Sequence, residues 1–116
     1  MAHTAGAALR LGVDDQKLES VWEFRTSPLF TEAERAALEI ALAGAAQPNE
    51  VTDELFAKAR RHWSDSQMVE IVGVIALFGF LNRFNDTMAT PLEAEPIEVG
   101  EKHLAKSGWS IGRHDR

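Results

Sequence analysis

The stretch that most constrains this chain runs from Met68 to Leu81, apolar throughout except for Glu70 and two glycines. An amphipathic helix carries its apolar residues on one stripe. Here they occupy every register of the 3.6-residue period, so a helix in this place is expected to be buried on all sides. The run is shorter than the roughly 20 residues that cross a bilayer, and it reads as a core helix. Ser64 and Gln67 form a capping box at its start. Its far end turns polar at Asn82, Arg83, Asn85 and Asp86, where the Arg83 cation suits the negative end of the helix dipole. Few other helices are available to surround it, so a second subunit or further sequence is expected to cover the rest.

The remaining punctuation is also helical, and no alternating run is long enough for a strand. His3 to Leu11 is alanine-rich and stops at Gly12, a natural residue just past a helix end. Asp14 is a good N-cap for a second helix expected to reach Phe24, with Leu18, Val21 and Trp22 on one face. Pro28 disfavours helix at Ser27 and makes Arg25 to Pro28 a loop. Thr31 and Glu34 form a capping box for a third helix ending near Gly44, and Thr52 caps a fourth after the break at Pro48-Asn49. Glu93 to Pro96 reads as an extended acidic linker, Val99 to Lys106 as one or two helical turns, and Gly108 to Gly112 as an irregular tail anchored by Trp109. The expected organisation is a helical domain over 1–92 and an acidic linker with a docking tail over 93–116.

The balance of 12 basic and 18 acidic residues gives a net charge of −6, which argues against a nucleic-acid partner. The basic cluster Lys58 to His62 reads as a solvated helix face. There is no cysteine, hence no disulfide, no thiolate zinc site and no cysteine nucleophile. The expected location is cytoplasmic: the apolar start lacks the basic leader of a signal peptide, and no membrane association is expected. His3, His62, His103 and His114 have no ligand partner at helical spacing, and no glycine-rich loop cradles a phosphate. No metal or cofactor is expected. The carboxylate pairs Glu32/Glu34 and Glu93/Glu95 are explained by helix starts, by solubility and by the linker. The residues alone name no reaction.

Three stretches, in order, resemble a known family. Met1 to Ala5, with Leu11 to Leu18 after it, looks like the segment just downstream of an active-site Cys-x-x-Cys pair. Trp22 to Phe24 with Ser27 to Leu38 is similar to a central stretch. Val51 to Phe56, Trp63 to Asp65 and Ile71 to Asp86 look like closing helices, with His103, Leu104, Gly108, Trp109, Gly112 and His114 in the tail. The chain so resembles the C-terminal part of the carboxymuconolactone decarboxylase/alkylhydroperoxidase-D superfamily.

That resemblance implies an all-α, alkylhydroperoxidase-D-like helical bundle with an irregular C-terminal tail, assembled as a homo-oligomer (dimer, trimer or hexamer). It implies a parent antioxidant oxidoreductase of peroxiredoxin type, in which a low-pKa thiolate reduces an organic hydroperoxide and a second cysteine resolves the sulfenic acid. His3 corresponds to the histidine that relays protons near that pair. Both cysteines would precede Met1, so a beheaded enzyme without activity is expected. The alternatives are a natural cysteine-free paralogue acting as an oligomerisation or partner-binding module, and a decarboxylase- or lyase-type member of the same fold.

Overall fold

A computed structural model describes residues 1–115, and the regular structure in them is helical. The helices are α1 (Ala2–Arg10), α2 (Asp15–Glu19), α3 (Glu32–Ala45), α4 (Asp53–Arg60), α5 (Asp65–Met88) and α6 (Ala94–His103). Single 3-10 turns occupy Val21–Glu23, Ala105–Ser107 and Gly112–His114. The chain divides into two units: Met1–Leu29 with Asn85–Arg116, and Phe30–Phe84.

The caps expected from the sequence are in place. Asp14 Oδ1 accepts from the Gln16 amide at 2.8 Å. Thr31 and Glu34 cap each other's backbone amides at 3.1 and 2.9 Å, and Thr52 accepts from Leu55 at 3.2 Å. Ser64 and Gln67 do the same at the start of α5, at 3.2 and 2.9 Å. Each satisfies amides that a helix leaves without partners, and each contributes about 1 kcal/mol. α1 ends in a Schellman motif. Gly12, at φ 92, donates to Leu9, and Val13 donates to Ala8, both at 3.0 Å.

Two local readings need correction. α2 stops at Glu19 instead of reaching Phe24. The Ser20 hydroxyl donates to the Gln16 carbonyl at 2.7 Å, competing with helical continuation, and the chain passes into a 3-10 turn. The segment read as an extended acidic linker is helical: Glu93 is the N-cap of α6, and Glu95 and Pro96 lie in its first turn, where proline removes no intrahelical donor.

The core of the Phe30–Phe84 unit is Ala36 and Ile40 from α3, Ala59 from α4 and Met68 from α5, bordered by Val51, Leu55, Trp63, Ile71 and Ile75. The small Ala36 and Ala59 let these helices approach closely. The Trp63 indole N–H donates to the Ala33 carbonyl at 2.9 Å, so this large, partly buried ring leaves no polar atom unpaired.

α5 departs most from expectation. It is 24 residues long, running from the expected Ser64 cap past the polar end at Asp86, but Met68 is its one buried residue. Met68, Ile71 and Ile75, spaced three and four apart, form the stripe that packs on the core. Val69, Gly73, Ala76, Phe80 and Phe84 form a second apolar stripe that is open, Val69 being 73% and Phe80 62% exposed. The helix is therefore not buried on all sides. By length and composition alone it is long and apolar enough to cross a membrane.

In the unit containing both ends of the described chain, α1 packs on α6, and α2 contacts both. The tail folds back on α6. Gly108, at φ 88, supplies a left-handed turn, and the Trp109 amide donates to the Leu104 carbonyl at 3.2 Å. The Trp109 ring then lies directly on Gly100: a Cβ there would fall 2.6 Å from ring carbons Cζ2 and Cζ3. Gly100→Ala sets a helix-propensity gain of up to about 1 kcal/mol against a collision with a docked indole, which costs about 1–3 kcal/mol. The collision is larger, so this variant is expected to melt at lower temperature than the wild type and to release Trp109. Thermal denaturation followed by tryptophan fluorescence tests this.

Candidate functional site

Alanine and glycine on the inner side of α1 bring it close to α6: Ala2, Ala5 and Gly6 are buried, as are Pro96 and Gly100 on the partner helix. This approach places His3, in the first turn of α1, beside Glu93 at the N-cap of α6. Their Nε2 and Oε2 atoms are 2.8 Å apart. One helical stretch further along, Arg10 pairs with Glu95 at 2.5 Å. The two carboxylates assigned to a solvated linker are thus the partners that tie α6 to α1.

The Glu93 carboxyl is held below the ordinary carboxylate range, first by a hydrogen bond from its own backbone amide, then by the hydrogen bond and charge of His3. With Nε2 turned to Glu93, the ring presents its Nδ1 edge away from the carboxylate. A histidine oriented by a carboxylate is the supporting half of a nucleophilic site. The sequence has no cysteine to stand beside it. The gap beside the pair, lined by His3, Gly6, Arg10, Glu95 and Val99 among others, has a volume of about 40 Å³ and admits water, not an organic substrate.

The other histidines serve different contacts. His103 is buried, 4% exposed, with Nδ1 3.0 Å from Glu19, which ties α6 to α2. The His114 ring lies 2.7 Å from the Thr90 carbonyl and 3.1 Å from Asp86, fastening the tail. His62 comes after α4 in an exposed turn. Among the described residues no three His, Asp or Glu side chains converge as metal ligands would. Sequence reasoning missed Glu93 because it lies 90 residues from His3; the usable signal was proline in a helical first turn just after an acidic N-cap.

No protein-family profile matches the chain. It is 37% identical over 86 residues to the uncharacterized protein YnjA of Escherichia coli (strain K12), covering 74% of this chain and 47% of that protein. Two crystal structures of the debrominase Bmp8 superpose on it. A cysteine-to-alanine variant in complex with 2,3,4-tribromopyrrole gives a TM-score of 0.81, and the apo protein gives 0.80. Each is 37% identical, and the match covers 87% of this chain and 54% of the debrominase. The chain spans about half the length of these relatives. It is an all-helical protein similar in fold to that debrominase, and this likeness agrees with the superfamily that the sequence resembles.

Because the folded-state pKa of Glu93 is lowered, its ionisation contributes stability above the unfolded carboxylate value, and that contribution is lost as pH falls through the folded value. Glu93→Gln is therefore expected to lower the melting temperature slightly at neutral pH, with the difference from wild type vanishing on acidification below the ordinary value of 4.5. Melting curves of both proteins across that range test it; a difference independent of pH counts against the ionic tie.

Proposed function

We propose that this chain is a carboxymuconolactone decarboxylase/alkylhydroperoxidase-like protein that supplies no thiol chemistry of its own and works as an assembly module, pairing with a second copy along α5. Thiol-dependent reduction of organic hydroperoxides is the proposed activity of the parent enzyme, with His3 as its proton-relay residue. Support for the family is the 37% identity and TM-score of 0.81 to the debrominase. Those same structures favour a second substrate class for the parent, a brominated pyrrole in place of a hydroperoxide. A thiol route to either needs a sulfur nucleophile, and none is present in the 116 residues.

The observation that carries the assembly role is the open stripe of α5. Val69, Leu77, Phe80 and Phe84 on this side of the helix are all substantially exposed. Monomeric proteins rarely leave a continuous apolar patch larger than a few hundred Å² uncovered. Self-pairing is favoured over a bilayer by the polar groups on the same helix. Glu70, Arg83 and Asp86 are exposed on α5, and the 12 residues between Glu70 and Arg83 rise only about 18 Å, short of the roughly 30 Å of a hydrocarbon core. Its first turns also pack on α3 and α4, where lipid has no access. Gly73 and Ala76 within the stripe allow a second helix to come close.

Sedimentation velocity is expected to show a dimer or higher homo-oligomer. Leu77→Glu with Phe80→Glu, at positions already half exposed, is expected to weaken association about a hundredfold while leaving helicity unchanged. A folded monomeric wild type, or one that co-floats with phosphatidylcholine vesicles, sinks the self-pairing reading. Incubation with cumene hydroperoxide and dithiothreitol, or with 2,3,4-tribromopyrrole and the same reductant, is expected to give no turnover; measurable turnover would overturn the cysteine-free reading.

A further inference from the structure

Two of the three tryptophan indoles have no hydrogen-bond partner among the described residues. The Trp63 indole is bonded to Ala33, whereas Trp22 and Trp109 border an open cavity of about 320 Å³ with Met1, Leu104, Ser107, Gly108 and Ser110. That volume lies within the range of small-molecule sites. Its walls are held in different ways. Leu104, 3% exposed, is the fixed floor at the end of α6. Trp109 is braced from behind by Gly100, and the left-handed Gly108 aims the chain that carries it. Trp22 sits on the 3-10 turn that replaces the end of α2 and is 49% exposed, much open area for so large an apolar ring.

We propose that this cavity binds a small, neutral, planar aromatic molecule carrying one hydrogen-bonding group. Two indoles offer ring faces for stacked or edge-to-face contact, and the Met1 thioether adds a soft apolar contact that adapts to the edge of a ring. No Asp, Glu, Lys, Arg or His side chain lines the cavity, so no ionisable side chain there compensates a charged ligand stripped of water. Polar recognition comes from the Ser107 and Ser110 hydroxyls, which hydrogen-bond no other described residue, and from the two indole N–H groups. A mostly apolar concavity with a few unpaired donors and acceptors is the usual composition of a ligand site. The cavity shares no lining residue with the α5 stripe or with the His3 pair, so the proposal stands whether or not the assembly reading does.

The probe is 2-naphthol, titrated into the full-length chain while the three indole N–H resonances are followed by ¹H–¹⁵N spectroscopy. The expected result is saturable movement of the Trp22 and Trp109 signals with one dissociation constant, while Trp63 stays still as the internal reference. Trp22→Ala, at an exposed position, is expected to weaken binding about tenfold with helicity retained. Ser107→Ala with Ser110→Ala is a second, conservative variant, expected to weaken 2-naphthol more than naphthalene. Three results would each overturn the proposal: no saturable shift of Trp22 and Trp109, an unchanged affinity in the Trp22 and serine variants, or movement of these two signals with protein concentration alone. The last would mean that a second copy fills the cavity.

Discussion

Burial of Met68, Ile71 and Ile75 against α3 and α4 anchors the Phe30–Phe84 unit, and it uses only one side of α5. A helix presents its neighbours one stripe at a time, because contacts three and four residues apart lie on the same face. Two short helices can cover one such stripe. The sequence of α5 provides two, and the second, from Val69 to Phe84, remains in water. Each large side chain fully withdrawn from water is worth about 1.5–3 kcal/mol. The open stripe therefore holds a driving force comparable to the whole stability of a small domain. The pressure toward covering this stripe comes from the amino-acid pattern itself, whatever chemistry the protein performs.

The other unit is built on different physics. α1 and α6 meet through small residues, and their edges are joined by charged or polar pairs: His3 with Glu93, Arg10 with Glu95, and His103 with Glu19 joining α6 to α2. The first two pairs are exposed and contribute little each, since water and salt screen them. Their effect is on register, because they fix which turn of α1 faces which turn of α6. The buried His103 is a stronger constraint. Its imidazole must keep a partner, so α2 is held where Glu19 can reach it. That position presents the next turn, and Trp22 with it, toward the tail carried by α6.

Local features are legible in the sequence and long-range ones are not. Asp14, Thr31 with Glu34, Thr52, and Ser64 with Gln67 each cap amides two or three residues away, so chain order alone predicts the bond. Gly12 works the same way at the end of α1. The Glu93 to Pro96 segment misleads because acid and proline signal a linker in isolation and a helix start in context; the context is a helical continuation that only packing against α1 makes worthwhile. The burial of α5 misleads because hydrophobicity reports what a surface prefers, not whether a neighbour exists to cover it. Of the candidate site, His3 is reached only by resemblance, and its pairing with Glu93 depends on a contact across nearly the whole chain.

His3 and Glu93 stand 2.8 Å apart, and the sequence offers no cysteine beside them. Such a pair is tolerated at no great cost because it is exposed and both members are solvated. The tryptophan cavity is a different case. Large rings left half open, hydroxyls with no partner and a glycine at position 100 that admits the Trp109 ring are not needed to close a tail onto a helix; a leucine would do that with less open apolar area. Their combination is better explained by an occupant of the cavity than by the stability of the chain alone.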